Sequence, residues 1–353
     1  MDWTRGGIDH NLRVVLVDPR NLSTVRGELG GVDPAGSLML DYYSDLRMKA
    51  SISTSVPEGE SDGWDGSAAM RLVHEAYVRD ELVFTETLGT FLVTDSAPWS
   101  VQNGVRKTSY QLSSMLYGMS VAVPAGNFAA GKGAMAHDLM TKVCANSLRK
   151  LKMIGSPRDY KFGGTVVYPA GQKYLSIMFD LADKAKNRLS VDELGYITTE
   201  TYVAPGSKSP SWEIDHEDDM FIGLLEGDDV TLSQPGRVVV VAKKDKSQIT
   251  AASIAPSGTR LHEGVRGYRL DDVRELSDMT PFTKARAQTL ADQYLNNATH
   301  TNEEVKHGMR YRPLREGQIE LLNDGEKVRR WMVKSADLDL ANWTWKLTLV
   351  GGW

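Results

Sequence analysis

The nearest thing to a reactive motif in this sequence is GNFAAGKG, Gly126 to Gly133, which keeps the spacing of a phosphate-binding loop as far as Lys132. In such a loop backbone amides cradle phosphate oxygens, the lysine reaches the terminal phosphates, and a Ser or Thr hydroxyl at the next position binds magnesium. Gly133 stands where that hydroxyl belongs, and no clear strand leads into the loop, so the stretch reads as a glycine-rich lead into a helix. A hard cation would need clustered oxygen ligands. The densest acidic run follows Asp215 and comprises His216, Glu217, Asp218 and Asp219, with Glu226, Asp228 and Asp229 beyond it. Its spacing matches no calcium loop, and a solvated turn between strands is expected. The histidines are scattered without an HxxH or HExxH pair, and there is no GxSxG elbow. His74 reads as a strand residue whose neighbour Glu75 points to the opposite face. Cys144 falls on the apolar stripe of a helix and reads as a packed small hydrophobe rather than a nucleophile. Glu193 and Glu200 flank a strand turn without an evident partner, whereas glycoside cleavage needs two carboxylates facing one groove. No catalytic, cofactor-binding or metal-binding residue is expected, and the side chains lean toward a structural or assembly protein.

Two basic clusters stand out, Arg310, Arg312 and Arg315 in MRYRPLR, and Lys327, Arg329 and Arg330. Alternate members of such a run on a strand share a face, which would suit an acidic partner or a channel lining; a solvated face is the plainer reading. Eight tryptophans, among them Trp331, Trp343, Trp345 and Trp353, favour core packing or protein interfaces. With 41 Lys plus Arg against 46 Asp plus Glu, the formal charge is −5 and no basic stripe marks a nucleic-acid binder. One cysteine excludes an intrachain disulfide framework and a cysteine-rich metal centre. The N-terminal MDWTRGGIDHNLRVVLVD lacks the pattern of a secretory signal, and no run of 18 apolar residues occurs, so neither that export route nor membrane anchoring is expected.

The elements that must position these residues divide the 353-residue chain into β, α+β and β thirds. In the first third, strands are expected at 13–18, 38–42, 45–56, 70–77 and 89–95, with a strand-like start to 108–118; the last two of the central runs allow a hairpin. PEGESDGWDGS, Pro57 to Ser67, is acidic and aperiodic and reads as a surface loop. Helical spacing of apolar residues predicts helices over Gly131–Leu148 and Gln172–Leu189, followed by a short strand, a turn at Asp192–Gly195, a strand at 196–203 and an exit linker at 205–210. In the last third RVVVVAKK, 237–244, is the strongest strand signal, and the polar stretch 247–264 reads as a long loop or insertion. Thr280 and Pro281 predict the start of a helix over 281–297. Strands follow at 307–314, 318–323, 327–340 and 343–350, with a hairpin turn at Asn323-Asp324-Gly325 and a mostly antiparallel arrangement.

The order and wording of several segments resemble hub proteins from the tail tip of long-tailed, siphovirus-type bacteriophages, particularly minor tail proteins of actinobacteriophages. The likeness starts in RVVLVDPRNLSTVRGELGGVDPAGSLMLDYYSDLRMKASISTSV, with Ser44, Asp45 and Arg47 at the turn, and continues in ETLGTFLVTDSAPWSVQNGVRKTSYQLSSMLY, Glu86 to Tyr117. It goes on through YLSIMFDLADKAKNRLSVDELGYITTETYVAP, Tyr174 to Pro205, and closes with RVVVVAKK, the helix ARAQTLADQYLNNAT, the Pro-Leu pair at 313–314 and QIELL. Together these cover roughly residues 12 to 350, and their order and spacing are more specific than any single motif.

This resemblance implies a mainly β protein with an α+β middle region, built from two related β-barrel domains of tail-hub type. The expected division is 12–122 for the first barrel domain, 123–212 for the α+β bridge, and 213–353 for the second barrel domain, which includes the helix at 281–297. It implies a non-enzymatic homotrimer in the virion, at the tail tip or baseplate, made in the host cytoplasm. The ring would join the sixfold tail tube and the distal-tail protein ring to threefold tip or fibre proteins. It would surround the passage used by the C-terminal end of the tape-measure protein and then by DNA during ejection, without sequence-specific nucleic-acid binding. The alternatives are another tube-like or distal-tail component of a virion or injection machine, and a carbohydrate-binding or glycan-hydrolysing β-protein.

Overall fold

The computed structural model describes residues 7–95, 97–215, 221–228, 234–244, 247–276, 283–299, 303–323 and 327–351. The first third holds β1 (Ile8–Val17), β2 (Val25–Glu28), β3 (Val32–Asp41), β4 (Met48–Pro57), β5 (Ala69–Val78), β6 (Glu81–Val93), β7 (Trp99–Gln102) and β8 (Val105–Ser114). The middle holds α1 (Tyr117–Val121), β9 (Phe128–Ala130), α2 (Ala136–Asn146), β10 (Leu151–Met153), β11 (Val166–Tyr168), α3 (Tyr174–Ala185), β12 (Asn187–Val191) and β13 (Ile197–Thr201). After a 3-10 turn at Pro205–Ser207 come β14 (Trp212–Asp215), β15 (Phe221–Asp228), β16 (Arg237–Lys244), β17 (Ser247–Ile254), α4 (Glu263–Arg266), β18 (Asp271–Leu276) and α5 (Lys284–Thr299). The chain ends with β19 (Glu303–Arg310), β20 (Ile319–Asn323), β21 (Val328–Asp339) and β22 (Thr344–Gly351).

The fold is mainly β with an α+β middle region. Most strands join one 14-stranded sheet, whose main path runs β15-β19-β22-β21-β3-β4-β8-β6-β5-β1-β2. β21 pairs antiparallel with β3, from Ser335 opposite Asp41 to Asp339 opposite Ser37, so strands from the two ends of the chain share one ladder. That path is open: among the described residues no closed barrel forms, where two were expected. Behind the sheet lies one large core that takes in Leu38, Ile52, Leu72, Phe91, Leu112, Leu338 and Trp345 from the sheet and Met140, Met178 and Leu181 from the helices.

Local chemistry explains where the elements start and stop. β4 alternates buried Met48, Ala50, Ile52 and Thr54 with Lys49, Ser51, Ser53 and Ser55, as a strand with one wet face must. It begins at Met48 rather than at 45 because Ser44 to Arg47 form a tight turn with Arg47 at φ 62°. β5 and β6 make a hairpin as expected, but a tighter one, turning on Arg79 and Asp80 at φ 52° and 63°, the left-handed pair that matches strand twist; the polar stretch 81–88, expected as the connection, is the first part of β6. α2 begins at Ala136, and α3 ends at Ala185 because Lys186 adopts the left-handed cap at φ 56°; the chain leaves directly into β12.

One expectation for the last third needs correction. The stretch 247–264 is not a long loop: Ser247–Ile254 is a strand paired with β16 throughout, and Glu263–Arg266 is a helical turn. The region is mostly antiparallel as expected, with two parallel pairs, β14 with β20 and β16 with β18, the latter in a separate three-stranded sheet against which α5 packs. Thr280 and Pro281 lie outside the described residues, and the cap observed is Thr283, whose Oγ1 accepts the Arg286 amide at 3.2 Å. β20 and β21 form the expected hairpin, with Asn323 opposite Val328; Asp324 and Gly325 lie outside the described residues.

Candidate functional site

The pairing of β3 with β21 aligns the side chains of strands from both ends of the chain. Because alternate residues of a strand share a face, the registers define cross-strand rows. One row runs Gly308, Lys346, Asp337, Met39, Lys49, Ser113, and the next runs Arg310, Thr344, Asp339, Ser37, Ser51, Gln111. A third places Lys306, Thr348, Ser335 and Asp41 side by side. Their neighbours along each strand, Leu347, Leu338, Leu40, Ala50 and Leu112, are buried on the opposite side. The result is a broad face of hydroxyls with lysines and aspartates in alternation, crossing β19, β22, β21, β3, β4 and β8.

Ion pairs hold that sheet to the middle region and close its end loops. Arg188 of β12 bridges Glu200 at 3.2 Å and Glu316 at 2.7 Å, and Ser190 also donates to Glu316. The guanidinium of Arg188 lies 4.7 Å from the Tyr42 ring centre, and Arg47 and Lys208 approach the same ring at 5.7 and 5.8 Å. Burial, with Arg188 nearby, lowers the affinity of Lys208 and Arg47 for their protons. Arg315 pairs with Glu86 at 3.0 Å, and Tyr311 donates to the same carboxylate, so burial and Glu86 hold the Tyr311 hydroxyl protonated far above its usual range. Thr90 donates to the backbone oxygen of Glu193 at 2.9 Å.

The residues singled out in the sequence take the following places. Gly126–Gly133 forms no phosphate loop: β9 occupies its centre, paired with β11. The first amides of α2 are already used, Ala136 by the Tyr160 carbonyl and His137 by Asp159. His216 to Asp219 and Asp229 lie outside the described residues, and Asp215 accepts from Asn323 at 3.0 Å. Among the described residues no three His, Cys, Asp or Glu side chains gather as a metal site would require. Cys144 is buried in the helical core, and burial pushes its thiol up to about 12. Glu193 and Glu200 face arginines, Arg315 at 4.0 Å and Arg188, rather than each other.

Arg310, Arg312 and Arg315 do not share a face. Arg310 is exposed, whereas Arg312 turns inward, binds Glu320 at 2.5 Å and stacks over Trp212 at 4.6 Å. Arg330 donates to the Gly206 carbonyl, and Lys327 is exposed. Trp331, Trp343 and Trp345 are core residues, and Trp353 lies outside the described residues. The loop 57–67 is not wholly a surface feature, because Asp62 is buried and accepts from Thr54 and Tyr110. Sequence reasoning missed the inward turns of Asp62 and Arg312; a signal for the second lay in Glu320, a carboxylate inside the apolar run QIELL.

No protein-family model matches the sequence, and no curated relative matches it. Solved structures do. A tail protein from Neisseria meningitidis MC58 aligns over 97% of this chain and 96% of its own at a TM-score of 0.65 and 12% identity. The 43 kDa tail protein of prophage MuSo2 from Shewanella oneidensis aligns over 98% and 99% at 0.64 and 10% identity. The fold is that of phage tail proteins. A prophage tail protein from Listeria monocytogenes extends the likeness, at 0.54 and 10% identity over 96% of this chain and 94% of that one. At such identities the agreement concerns the path of the backbone, and the side chains that do the work have to be read from this chain itself.

Proposed function

We propose that this protein is a structural, non-enzymatic hub of a bacteriophage tail tip, of the long-tailed type that its sequence resembles. Three copies would form a ring, with the hydroxyl-rich face of the large sheet turned toward the central passage. The observation that carries this reading is the set of continuous polar rows over β19, β22, β21, β3, β4 and β8, backed by buried leucines, in a chain with a tail-protein fold. A passage for protein and DNA benefits from a hydrated wall with little net charge, since neither an apolar nor a strongly basic lining would let cargo go. The sequence blocks 12–122 and 213–353 would supply this wall jointly, and 123–212 would brace it from behind through Arg188 and Glu316. Partners in this reading are a distal-tail ring, the C-terminal end of a tape-measure protein, and tip or fibre proteins.

Mass photometry and single-particle imaging of the purified chain with its distal-tail partner test the ring. A threefold ring is expected. Cysteine replacing Ser51 or Ser335 should react with maleimide at the lumen of that ring and be shielded when the passage is filled. A sixfold ring would move the protein to the tube or distal-tail class, and a chain that stays monomeric beside its tail partners would overturn the reading.

A further inference from the structure

The tip of the β7–β8 hairpin carries reactive chemistry. Asn103-Gly104 is the one Asn-Gly step in the sequence, and it turns the chain at φ 52° and 72° between Gln102 and Val105, which pair. Both residues suit this two-residue turn because both tolerate positive φ. The same step favours ring closure: the backbone nitrogen of the following residue can attack an asparagine carboxamide, and glycine puts no Cβ in the way. Every other asparagine precedes a residue with a side chain, which crowds that attack.

The described residues hold three sites where Asn or Asp precedes glycine, and the structure separates them. Asp62 is buried and accepts from Thr54 at 2.9 Å and from Tyr110, while the Gly63 amide donates to the Ser61 hydroxyl at 3.1 Å. Asp65 accepts the amides of Ser67 and Ala68 at 2.8 and 2.9 Å, which keep its carboxyl ionised and a poor electrophile. Asn103 and Gly104 are exposed, and among the described residues neither the Asn103 carboxamide nor the Gly104 amide has a hydrogen-bond partner. Opening the turn for ring closure meets little resistance. Gly104 is tied to the fold by its carbonyl, which accepts the Glu58 amide at 2.8 Å, and β7 pairs with β8 alone among the described strands.

We propose that Asn103 is a site of spontaneous deamidation, and that the isoaspartate formed there loosens β7 from the large sheet. The Gly104 nitrogen bonds to the Asn103 carboxamide carbon, the bond from that carbon to Nδ2 breaks, and Nδ2 leaves as ammonia with the proton of the Gly104 amide. Water then opens the succinimide at either carbonyl, giving aspartate or isoaspartate, with no oxidation or reduction. Isoaspartate routes the chain through its side-chain carbon, so the backbone between Gln102 and Gly104 gains a methylene. A two-residue turn has no slack for it, and the Gln102–Val105 pairing and the Glu58–Gly104 bond cannot both survive. The strand set free carries Trp99, 63% exposed, so the reaction alters an exposed aromatic surface as the protein ages. Water is the sole co-reactant and the ring plays no part, so the purified chain tests the site whatever its oligomeric state.

The test is peptide mapping by electron-transfer mass spectrometry, which separates aspartate from isoaspartate, on folded and guanidinium-unfolded chain aged side by side in mildly alkaline buffer. Asn103 should convert mainly to isoaspartate, at a rate within about tenfold of that in the unfolded chain and at least about tenfold ahead of every other asparagine of the folded protein. Hydrogen exchange of 99–102 should then be at least about threefold faster in the aged protein. Asn103→Gly keeps a turn of positive φ without a carboxamide and should neither convert nor change with age. Asn103→Asp, measured fresh, carries the charge without the longer backbone and should exchange like unaged protein. Asn103 left intact in the folded chain while the unfolded chain converts, or a faster reaction at another asparagine, would overturn the modification site. Unchanged exchange of β7 after conversion, or equal loosening in fresh Asn103→Asp, would overturn the effect assigned to the lengthened backbone.

Discussion

Arg188 of β12 and Glu316, in the loop between β19 and β20, meet at 2.7 Å with side chains only 12% and 6% exposed. This pair ties the middle region to the large sheet, and Tyr42, Ser190, Arg47 and Lys208 are arranged around it.

Removing one member of a buried pair strands the other's charge away from water. Glu316→Ala leaves Arg188 with the more exposed Glu200 and should therefore destabilise the fold by less than a fully stranded charge would, about 2 kcal/mol, whereas Glu316→Gln, which still accepts from Ser190, should cost less. Denaturant titration of the three proteins measures both. A loss below about 0.5 kcal/mol for the alanine variant would mean that the junction is not held by this pair.

His74 is fully buried between Tyr311 and Trp343, with ring centres 4.2 and 4.1 Å away, and His10 stacks on it. Burial, reinforced by His10, lowers its pKa to about 3. The unfolded chain, in which the imidazole titrates near 6.5, binds this proton at a pH where the folded chain does not. The contribution is thus intact above about 6.5 and declines as the pH falls toward 3, by up to about 1.4 kcal/mol per unit. In His74→Phe the dependence of stability on pH between 6 and 4 should be shallower by about that amount; an unchanged slope would show that His74 is not the group responsible.

Cys144 offers a probe that needs no engineering. With its thiol buried and its pKa pushed up to about 12, the native protein should label with maleimide at pH 8 at least about a hundredfold more slowly than the unfolded chain. Fast labelling under native conditions would show that the helical core opens locally.

Much of this architecture was legible in local pattern. The Met48-Ala50-Ile52 alternation gave β4 its wet face, and the apolar spacing of Leu175, Met178 and Leu181 gave α3 its buried side. Ser247 to Ile254 was harder, because its inward positions Ile249 and Ala251 are separated by small polar residues that resemble a loop. The union of β3 with β21 had no local sign at all, since strand register between distant segments depends on the whole core. For the same reason the polar rows come into view only once the strands are paired. Arg312 looked like a surface cation because its run is basic; its partner Glu320 is close in sequence, but a loop must turn it inward.

The three-stranded sheet of β16, β17 and β18 should be the least protected described part of the fold. Its core beneath α5 is small, made by Val240, Ala242, Ala251, Ala287 and Ala291, and alanine buries little apolar surface. The large sheet and the helices of the middle region, by contrast, share one extensive core built on leucine, methionine and aromatic side chains. Opening free energy follows buried apolar contact, so amides of β16 should exchange through a local opening while those of β4, β5 and β8 wait for a larger unfolding event. Native-state hydrogen exchange should place the two groups at least about 2 kcal/mol apart. Ala251→Val adds two methyl groups at the centre of the small core and narrows that gap if the packing has room for them; overpacking would widen it. Either shift, confined to β16 to β18 and α5, marks an independently opening unit, and a uniform shift across both groups would show that the chain unfolds as one.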